Sequence, residues 1–336
     1  MRAQAEGEPG RTSSDVAAAP VFVVGSPRSG TTLLYHQLVS AGAFVNYRVE
    51  TLAYNLIRPA YRDLRSERDR ERFLADWLRG FLFARSGLDA DEAAVIVRRS
   101  RSTGEFLRGL MDAMALRQGK PRWAECTPDH GLYLPDIAAD FPTARIVHIV
   151  RDGRDVAASL ERQGWIRPLP GDAARGLETA GCYWSWVVER TRRAGAALGD
   201  RYVEVRFERL VAEPARTLAE LGRSIDHYLD HERIRRDGIG SVHAPNSSFR
   251  TGAGADSSPV GRWRSLPAAR LGSLERDIGA TLERFGYERS QEPTRLPSLR
   301  RRLLHARFST RHRLRATSLG PRLIDASPIV SDSPVA

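Results

Sequence analysis

Gly25-Ser26-Pro27-Arg28-Ser29-Gly30-Thr31-Thr32 is the segment from which the architecture of this 336-residue chain is predicted. The apolar run Val21–Val24 precedes it and predicts a buried parallel strand, while Thr31 to Leu38 predicts the first turns of a helix. A strand, a glycine-containing turn and a helix N-terminus direct several backbone N–H groups to one point, where the helix dipole also favours negative charge. We therefore expect an anion site here, in preference to a tight turn that binds nothing.

The same segment has the glycine spacing of a Walker A phosphate loop, but Thr31 stands where that loop has its lysine. Arg28 can supply the missing cation. The loop is therefore expected to hold a phosphate-like group, and not the Mg-bound phosphates of a nucleoside triphosphate. A P-loop kinase remains an alternative, although no apolar strand ends in a convincing Mg-binding aspartate.

Short apolar runs and helical patterns alternate along the chain and predict an α/β fold. We expect a three-layer sandwich with a central parallel sheet, of the P-loop NTPase type. In such sheets ligands bind beyond the carboxyl ends of the strands, where Gly25 and Arg151 both lie. The predicted strands are Val21–Val24, 122–126, Arg145–Val150 and 202–207. The predicted helices are 31–41, 51–85, 103–116, 132–140, 156–162, 178–198, 214–228 and 267–285.

Composition is typical of a globular protein, with 41% hydrophobic and 28% charged residues. No stretch offers about 18 uninterrupted apolar residues, so we expect no membrane span. Residues 1–19 lack the apolar core of a signal peptide and predict a disordered leader on a cytoplasmic protein. The only two cysteines, Cys126 and Cys182, provide neither a disulfide framework nor a metal cluster.

Basic residues outnumber acidic ones by 52 to 41, which gives a net charge of +11. We expect residues 20–290 to form one domain and residues 291–336 a basic, partly disordered tail. Such a tail could contact nucleic acid, anionic lipid or an acidic partner, but a solvated tail is the favoured interpretation. Its arginines are Arg295, Arg300, Arg301, Arg302, Arg307, Arg311, Arg313, Arg315 and Arg322.

A second anion site is predicted where the strand Arg145–Val150 ends. Arg151 follows this strand directly, a helix begins after it, and Ser159 lies eight residues further on. A guanidinium fork and a hydroxyl could share one phosphate. Taken alone, a simple pairing of Arg151 with Asp152 or Asp155 is an equally good interpretation.

Together the two segments resemble the signatures of the sulfotransferase family, which uses 3'-phosphoadenosine 5'-phosphosulfate (PAPS). The segment from Pro27 to Thr32 looks like the family's loop for the 5'-phosphosulfate, in which Arg28, Ser29, Gly30, Thr31 and Thr32 would contact the donor. Arg151 and Ser159 look like its 3'-phosphate site. The match is most similar to the tyrosylprotein-type and related bacterial branches, and a kinase has no use for the second site.

Weaker matches extend the resemblance over residues 20–290. Phe207 stands where the family commonly places a tyrosine beside the adenine. Ser247 and Ser248, and then Arg262, resemble the late loop that closes over the nucleotide, with Arg262 as a phosphate contact. Without the resemblance, Trp263 beside it is a packing residue.

The resemblance implies in-line sulfuryl transfer to a hydroxyl, with Arg28 stabilising charge and a carboxylate as general base. Glu50 is the preferred base because its offset from the loop matches the tyrosylprotein-type enzymes; a carboxylate that favours the dipole of the following helix is the alternative. Glu125 and His130 are the next candidates. The chemistry needs no metal.

One position departs from the family. Many relatives have a lysine at the position of Cys126, where it can bond the leaving oxygen. Cys126 carries no positive charge, and no His or Asp beside it supports a nucleophilic role. Arg28 takes over this charge, or the chain binds its donor with slow or no turnover.

The expected acceptor is a hydroxyl of a small molecule or carbohydrate, carried by the helices of residues 51–116 and the predicted loop of residues 230–260. The alternatives to a sulfotransferase are the P-loop kinase and a non-catalytic protein that binds nucleotides or polyanions. We expect no specific nucleic acid partner, and a homodimer is possible.

Overall fold

The computed structural model describes residues 19–169, 171–242, 258–290, 298–317, 319–323 and 329. Ser247 and Ser248 lie outside the described residues, as does all but the last residue of the predicted leader.

A four-stranded parallel sheet forms the centre of the molecule, and it confirms the predicted α/β fold. Its strands follow the spatial order β2-β1-β3-β4. In the register of the sheet, Val21 lies opposite Ala124 on one side and Arg145 on the other. The strands are β1 (Val21–Val24), β2 (Ala124–Glu125), β3 (Arg145–Val150) and β4 (Tyr202–Arg206).

Alternate residues of each strand point to opposite faces of this sheet. Phe22 and Val24 pack into the core on one face, and Val21 and Val23 pack into the core on the other. Apolar residues therefore fill β1 completely, as expected for a parallel sheet with both faces covered.

Helices cover both faces of the sheet, and most begin within a few residues of their predicted positions. The α-helices before β3 are α1 (Thr31–Ser40), α2 (Arg58–Ala60), α3 (Glu67–Trp77), α4 (Phe81–Ala84), α5 (Ala90–Arg99), α6 (Thr103–Gln118) and α7 (Leu134–Asp140). Those after β3 are α8 (Gly153–Gln163), α9 (Gly176–Gly195), α10 (Phe207–Ala212), α11 (Pro214–Ser224), α12 (His231–Arg236), α13 (Ala268–Arg284), α14 (Leu299–Arg315) and α15 (Gly320–Leu323).

The single long helix predicted over residues 51–85 is wrong. Leu52 has a left-handed backbone (φ 55°), and a π-helical turn follows over Ala53–Ile57. Further breaks occur at Asp63, which is also left-handed, and at Gly80, which precedes α4. The first break has a physical reason, because the backbone N–H groups of Thr51, Leu52 and Tyr54 donate to Glu125, Thr127 and His130.

The loop predicted over residues 230–260 is wrong in its first part. Asp230 caps α12 by accepting hydrogen bonds from the N–H groups of Glu232 and Arg233. A 3-10 turn, Gly240–Val242, follows, and its Ser241 hydroxyl contacts His36 of α1 at 2.7 Å. Residues 243–257 lie outside the described part of the chain.

The arginine-rich helix α14 packs against α9. The Trp186 indole donates to the Ser309 hydroxyl at 3.0 Å, and the Phe308 ring packs against the rings of Trp186 and Tyr183. An ion pair of 2.7 Å joins Arg301 to Glu189 at the other end of the helix. These contacts attach the C-terminal helix to the body of the protein.

Within the described residues, no helix combines the length and the apolar character that crossing a membrane requires.

Candidate functional site

The loop between β1 and α1 has the backbone of an anion cradle. Arg28 and Gly30 both have left-handed backbones, with φ of 71° and 95°. The Ser29 N–H donates to the Ser26 carbonyl, which closes the turn. No side chain caps α1 at Gly30, and no acidic residue lies in its first turn, so its leading N–H groups and the dipole are directed at the loop.

The two predicted anion sites come together in the structure. The Arg28 guanidinium donates from Nε to the Ser159 hydroxyl of α8 at 3.0 Å. Arg151 donates from Nη1 to the Arg28 carbonyl, also at 3.0 Å. Parallel strands β1 and β3 are neighbours, so the residues that follow them meet at one edge of the sheet.

Four arginines, Arg28, Arg151, Arg162 and Arg262, bring positive charge to this edge. Burial lowers the pKa of Arg28, and the charges of Arg151 and Arg162 lower it further. Burial also lowers the pKa of Arg151. The negative charge of Asp155 opposes this decrease, and the positive charge of Arg262 adds to it. Burial and the charge of Arg162 also lower the pKa of Arg262. An anion bound among these groups would relieve the repulsion.

Arg162 was missed by the sequence reasoning. It lies three residues after Ser159 on α8, so both side chains share one face of that helix. That spacing is the signal that could have identified it.

Two buried polar atoms at the site have no hydrogen-bond partner: the Ser29 hydroxyl oxygen and the Arg151 Nε. Buried polar groups are almost always satisfied, and a polar group bound in the cradle would complete both of these atoms. A hydroxyl and a guanidinium both donate to phosphate oxygens. The residues present therefore fit a phosphate- or sulfate-bearing ligand.

Phe207 lies beneath the loop, with only 2% of its surface exposed. A Cβ atom added to Gly30 would come within 2.4 Å of the Phe207 ring. On its other side, the Arg151 guanidinium carbon lies 4.7 Å from the ring centroid. Phe207 thus supports both the loop and Arg151, and its predicted contact with the adenine stays a prediction.

Asp155 holds the segment that carries Arg262. Its two carboxylate oxygens accept the N–H groups of Gly261 and Trp263, each at 2.9 Å. Arg262 in turn donates to the Ser258 carbonyl. This segment also contains Pro259, whose carbonyl accepts from Arg151, so Arg262 is placed beside the second anion site.

The Glu50 carboxyl lies close to Asp129, Glu125 and Cys126. Burial raises its pKa to about 8, and the nearby charges of Asp129 and Glu125 contribute to the rise. Glu50 also contributes to the raised pKa of the Cys126 thiol, which contacts the Thr31 side chain. Glu50 is therefore close to the loop, and its carboxyl can exchange a proton near neutral pH.

Glu125 and His130 form a buried structural network instead. The Glu125 carboxylate accepts hydrogen bonds from the hydroxyls of Thr51 and Thr127 and contacts His130 Nδ1 at 2.8 Å. Burial opposes ionisation, but His130 and the two threonines hold the pKa of Glu125 below its usual value. Both side chains are fully buried, and the network fixes the backbone that leads from Glu50 into the π-helical turn.

Cys126 cannot replace the lysine of the family pattern. Burial raises the pKa of its thiol well above the ordinary value, so the group stays neutral. A neutral buried thiol is neither a cation nor an activated nucleophile.

A cavity of about 320 Å³ opens beside the loop at Pro27. The helices of residues 51–116, which were expected to carry the acceptor, contribute only Asn55 to its wall. Most of the wall comes from the 3-10 segment Pro128–Tyr133, the end of α8 and the residues after it, α9 and the C-terminal helix α14. In the described part of the chain, no group of three or more His, Cys, Asp or Glu side chains could hold a metal ion.

A family model described as the sulfotransferase family matches residues 20–230 of this sequence. The chain belongs to the sulfotransferase family. No curated protein matches it in sequence. Among solved structures, the sulfotransferase domain from the curacin biosynthetic pathway is 20% identical, with a TM-score of 0.56, and the match covers 81% of this chain and 98% of that domain. The sulfotransferase domain of the Synechococcus PCC 7002 olefin synthase is 19% identical, with a TM-score of 0.49, covering 87% of this chain and 95% of that domain.

Proposed function

We propose that this sulfotransferase moves the sulfuryl group of PAPS to a hydroxyl of a small-molecule or carbohydrate acceptor. Family membership supports sulfuryl transfer, and the residues around the loop support this donor. PAPS carries a phosphosulfate and a separate 3'-phosphate, so its recognition requires two anion sites at a fixed separation.

The observation that carries the proposal is the meeting of Arg28, Arg151 and Ser159 where β1 and β3 end. The loop with Arg28 would hold the phosphosulfate, and Arg151 with Ser159 would hold the 3'-phosphate. The unpartnered Ser29 hydroxyl and Arg151 Nε supply further donors on the two sides. Arg162 and Arg262 add positive charge around them.

The reaction forms one bond between the acceptor oxygen and sulfur and breaks the bond between sulfur and the phosphate oxygen. Its products are a sulfate ester and adenosine 3',5'-bisphosphate. Arg28, the hydroxyls of Thr31 and Thr32, and the loop N–H groups would stabilise the charge on the non-bridging and leaving oxygens. Arg28 would thereby supply the charge that Cys126 does not.

Glu50 would accept the proton of the acceptor hydroxyl. Its raised pKa makes it a stronger base than an ordinary carboxylate, and it lies close to both Cys126 and Asp129. A positioned general base contributes about 10²- to 10⁴-fold to such a step. Glu125 is unsuited to this role because its oxygens are already bonded to Thr51, Thr127 and His130.

The separate 3'-phosphate site is tested by comparing adenosine 3',5'-bisphosphate with adenosine 5'-monophosphate by calorimetric titration. We expect the bisphosphate to bind at least about tenfold more tightly, because one charge-assisted hydrogen bond contributes about 1.5–3 kcal/mol. Ser159→Ala should lower that preference by about three- to tenfold through the loss of one hydroxyl contact.

Ser224→Ala is the matched control, since Ser224 is a helical serine that bonds only to the Glu220 carbonyl of its own helix. Equal affinity of the unmodified protein for the two nucleotides would contradict the proposed donor. If Ser159→Ala keeps the full preference for the bisphosphate over the monophosphate, Ser159 does not contribute to the 3'-phosphate site.

A further inference from the structure

The cavity beside Pro27 is closed on one side by a helix that lies outside the family-matched residues. The family model ends at residue 230, whereas α14 spans Leu299–Arg315. This helix contributes Arg307, Phe308, Arg311, His312 and Arg315 to the cavity wall. These wall residues therefore lie outside the part of the chain that the family model matches.

Aromatic rings form much of the remaining wall. Tyr183 and Trp186 come from α9, and Tyr133 precedes α7. Trp165, which is 40% exposed, lies at the mouth with its ring 5.7 Å from the Arg28 guanidinium carbon. Rings that line a concave site provide apolar contact for a flat ligand, while a few polar groups fix its orientation.

The charge of the cavity is strongly positive. Arg167, Arg307, Arg311 and Arg315 all line it, and among the residues described in the structure none of the four forms an ion pair with a carboxylate. His312 adds no further charge near pH 7, because burial lowers its pKa to about 4 and Arg190 and Arg315 lower it further.

Asp129 is the one carboxylate in the cavity wall. Burial raises its pKa, although the Tyr183 hydroxyl donates to it at 2.9 Å. The charge of Arg315 opposes this rise, and one carboxylate faces four arginines, so the wall keeps an excess of positive charge. Asp129 also contributes to the raised pKa of Glu50, so this end of the cavity is the end nearest the proposed base.

Two of these arginines are held by hydrogen bonds to neutral groups. Arg307 donates to the carbonyl oxygens of Arg167 and Pro168, and Arg315 bonds the Tyr133 side chain. Arg311 is an exposed side chain at the cavity wall. An anion bound among these side chains would offset the repulsion between their like charges.

We propose that the acceptor is an aromatic hydroxy acid, whose anionic group is bound by the arginines of α14 while its hydroxyl faces the phosphate loop. This inference rests on the proposed sulfuryl transfer and specifies the acceptor for the same site. The hydroxyl would lie at the end formed by Pro27 and Asp129, near Glu50. The carboxylate would lie at the end formed by Arg307 and Arg311. A cavity of about 320 Å³ has room for one such molecule.

The test uses para-hydroxyphenylacetate and its uncharged amide, two ligands of the same shape that differ in charge. The full-length protein is first saturated with adenosine 3',5'-bisphosphate, so that the acid cannot bind at the nucleotide anion sites. Binding of each ligand is followed by tryptophan fluorescence, because Trp165 and Trp186 line the cavity. We expect the acid to bind about tenfold more tightly than the amide, the effect of one charge-assisted contact.

Arg311→Gln should reduce the preference for the acid by at least about threefold, and the Arg307→Gln/Arg311→Gln double variant should abolish it. Arg302→Gln is the matched control: Arg302 is exposed on the same helix but does not line the cavity, so the preference should be unchanged. Equal binding of acid and amide, binding of neither, or a preference that survives the double variant would overturn the proposal.

The bisphosphate titration separates this inference from the proposed function. A protein that does not bind the bisphosphate contradicts the donor assignment, whatever the acid does. A protein that binds the bisphosphate but does not distinguish acid from amide contradicts the acceptor inference alone.

Discussion

The Glu50 carboxyl is the group that we propose as the general base. Burial and two neighbouring carboxylates raise its pKa to about 8. A general base works only in its ionised form, so at pH 7 about a tenth of the molecules would have an active base. The acceptor step should therefore accelerate as the pH rises through 8.

We predict that kcat/KM for the acceptor rises about tenfold per pH unit below pH 8 and then levels off, as expected for one ionising base. Glu50→Gln should lower kcat by about 10²-fold or more and remove this rise, while leaving bisphosphate affinity unchanged. Stopped-time assays of sulfuryl transfer at a series of pH values would measure both effects. The exposed Glu67 provides the control Glu67→Gln, which should behave like the unmodified protein. A rise in rate that persists in Glu50→Gln would exclude Glu50 as the base.

The residues that follow strands were predictable from the sequence, but the environment of each side chain was not. Because β1 and β3 are parallel neighbours, Arg28 and Arg151 had to meet at one edge of the sheet. The close approach of the Phe207 ring to Gly30 depends instead on how α10 packs against the loop. This contact joins residues that are distant in sequence. The same is true of Glu125, whose partners Thr51 and His130 become visible only when the chain is folded.

At the scale of elements, Arg154 links three parts of the chain that position the second anion site. Its guanidinium bonds Asp152, which precedes α8, at 2.7 Å and Glu275 of α13 at 2.7 Å. The guanidinium carbon also lies 3.6 Å from the centroid of the Trp263 ring, next to Arg262. All three charged residues of this network are almost fully buried.

We predict that Arg154→Leu lowers the free energy of unfolding by about 3–5 kcal/mol, because it leaves two buried carboxylates without their partner. It should also weaken bisphosphate binding, since Arg151 and Arg262 lose the elements that hold them. Arg270→Leu is the control, because Arg270 forms an exposed 2.6 Å pair with Glu161 whose loss should cost about 1 kcal/mol or less. Urea denaturation would measure both variants. A similar small loss for the two variants would show that the buried network does not stabilise the site.

Two parts of the chain show why local sequence patterns could not predict where helices end or how α14 packs against the rest of the protein. The sequence pattern of residues 51–85 predicts a helix. The backbone N–H groups of Thr51 and Leu52 bond to Glu125 and Thr127 instead, and these partners are distant in sequence. Helix α14 has few buried apolar side chains and docks through a tryptophan–serine bond and ion pairs. Its sequence therefore resembles a solvated helix, and its role in the cavity wall is a property of the tertiary structure.

On the scale of the whole molecule, the parallel sheet brings positive charge to one edge and the C-terminal helix brings more to the adjoining cavity. The net charge of +11 thus has a spatial pattern that composition could not reveal. The sequence predicted the central sheet because short, mostly apolar runs alternate with helical patterns, most clearly at Val21–Val24 and Arg145–Val150. The cavity was not predictable, since its wall combines residues from the loop at Pro27 to Arg315.

We propose that this protein has separate sites for two phosphate-like groups and binds its nucleotide without a metal. Thermal unfolding with adenosine 3',5'-bisphosphate or with ADP, each with and without Mg²⁺, tests it most directly. At about 100 times its dissociation constant, a ligand that binds only the folded state adds roughly 2.7 kcal/mol of stability. We predict this stabilisation for the bisphosphate alone, at the same size with and without Mg²⁺. Stabilisation by ADP only in the presence of Mg²⁺, with none by the bisphosphate, would contradict the account.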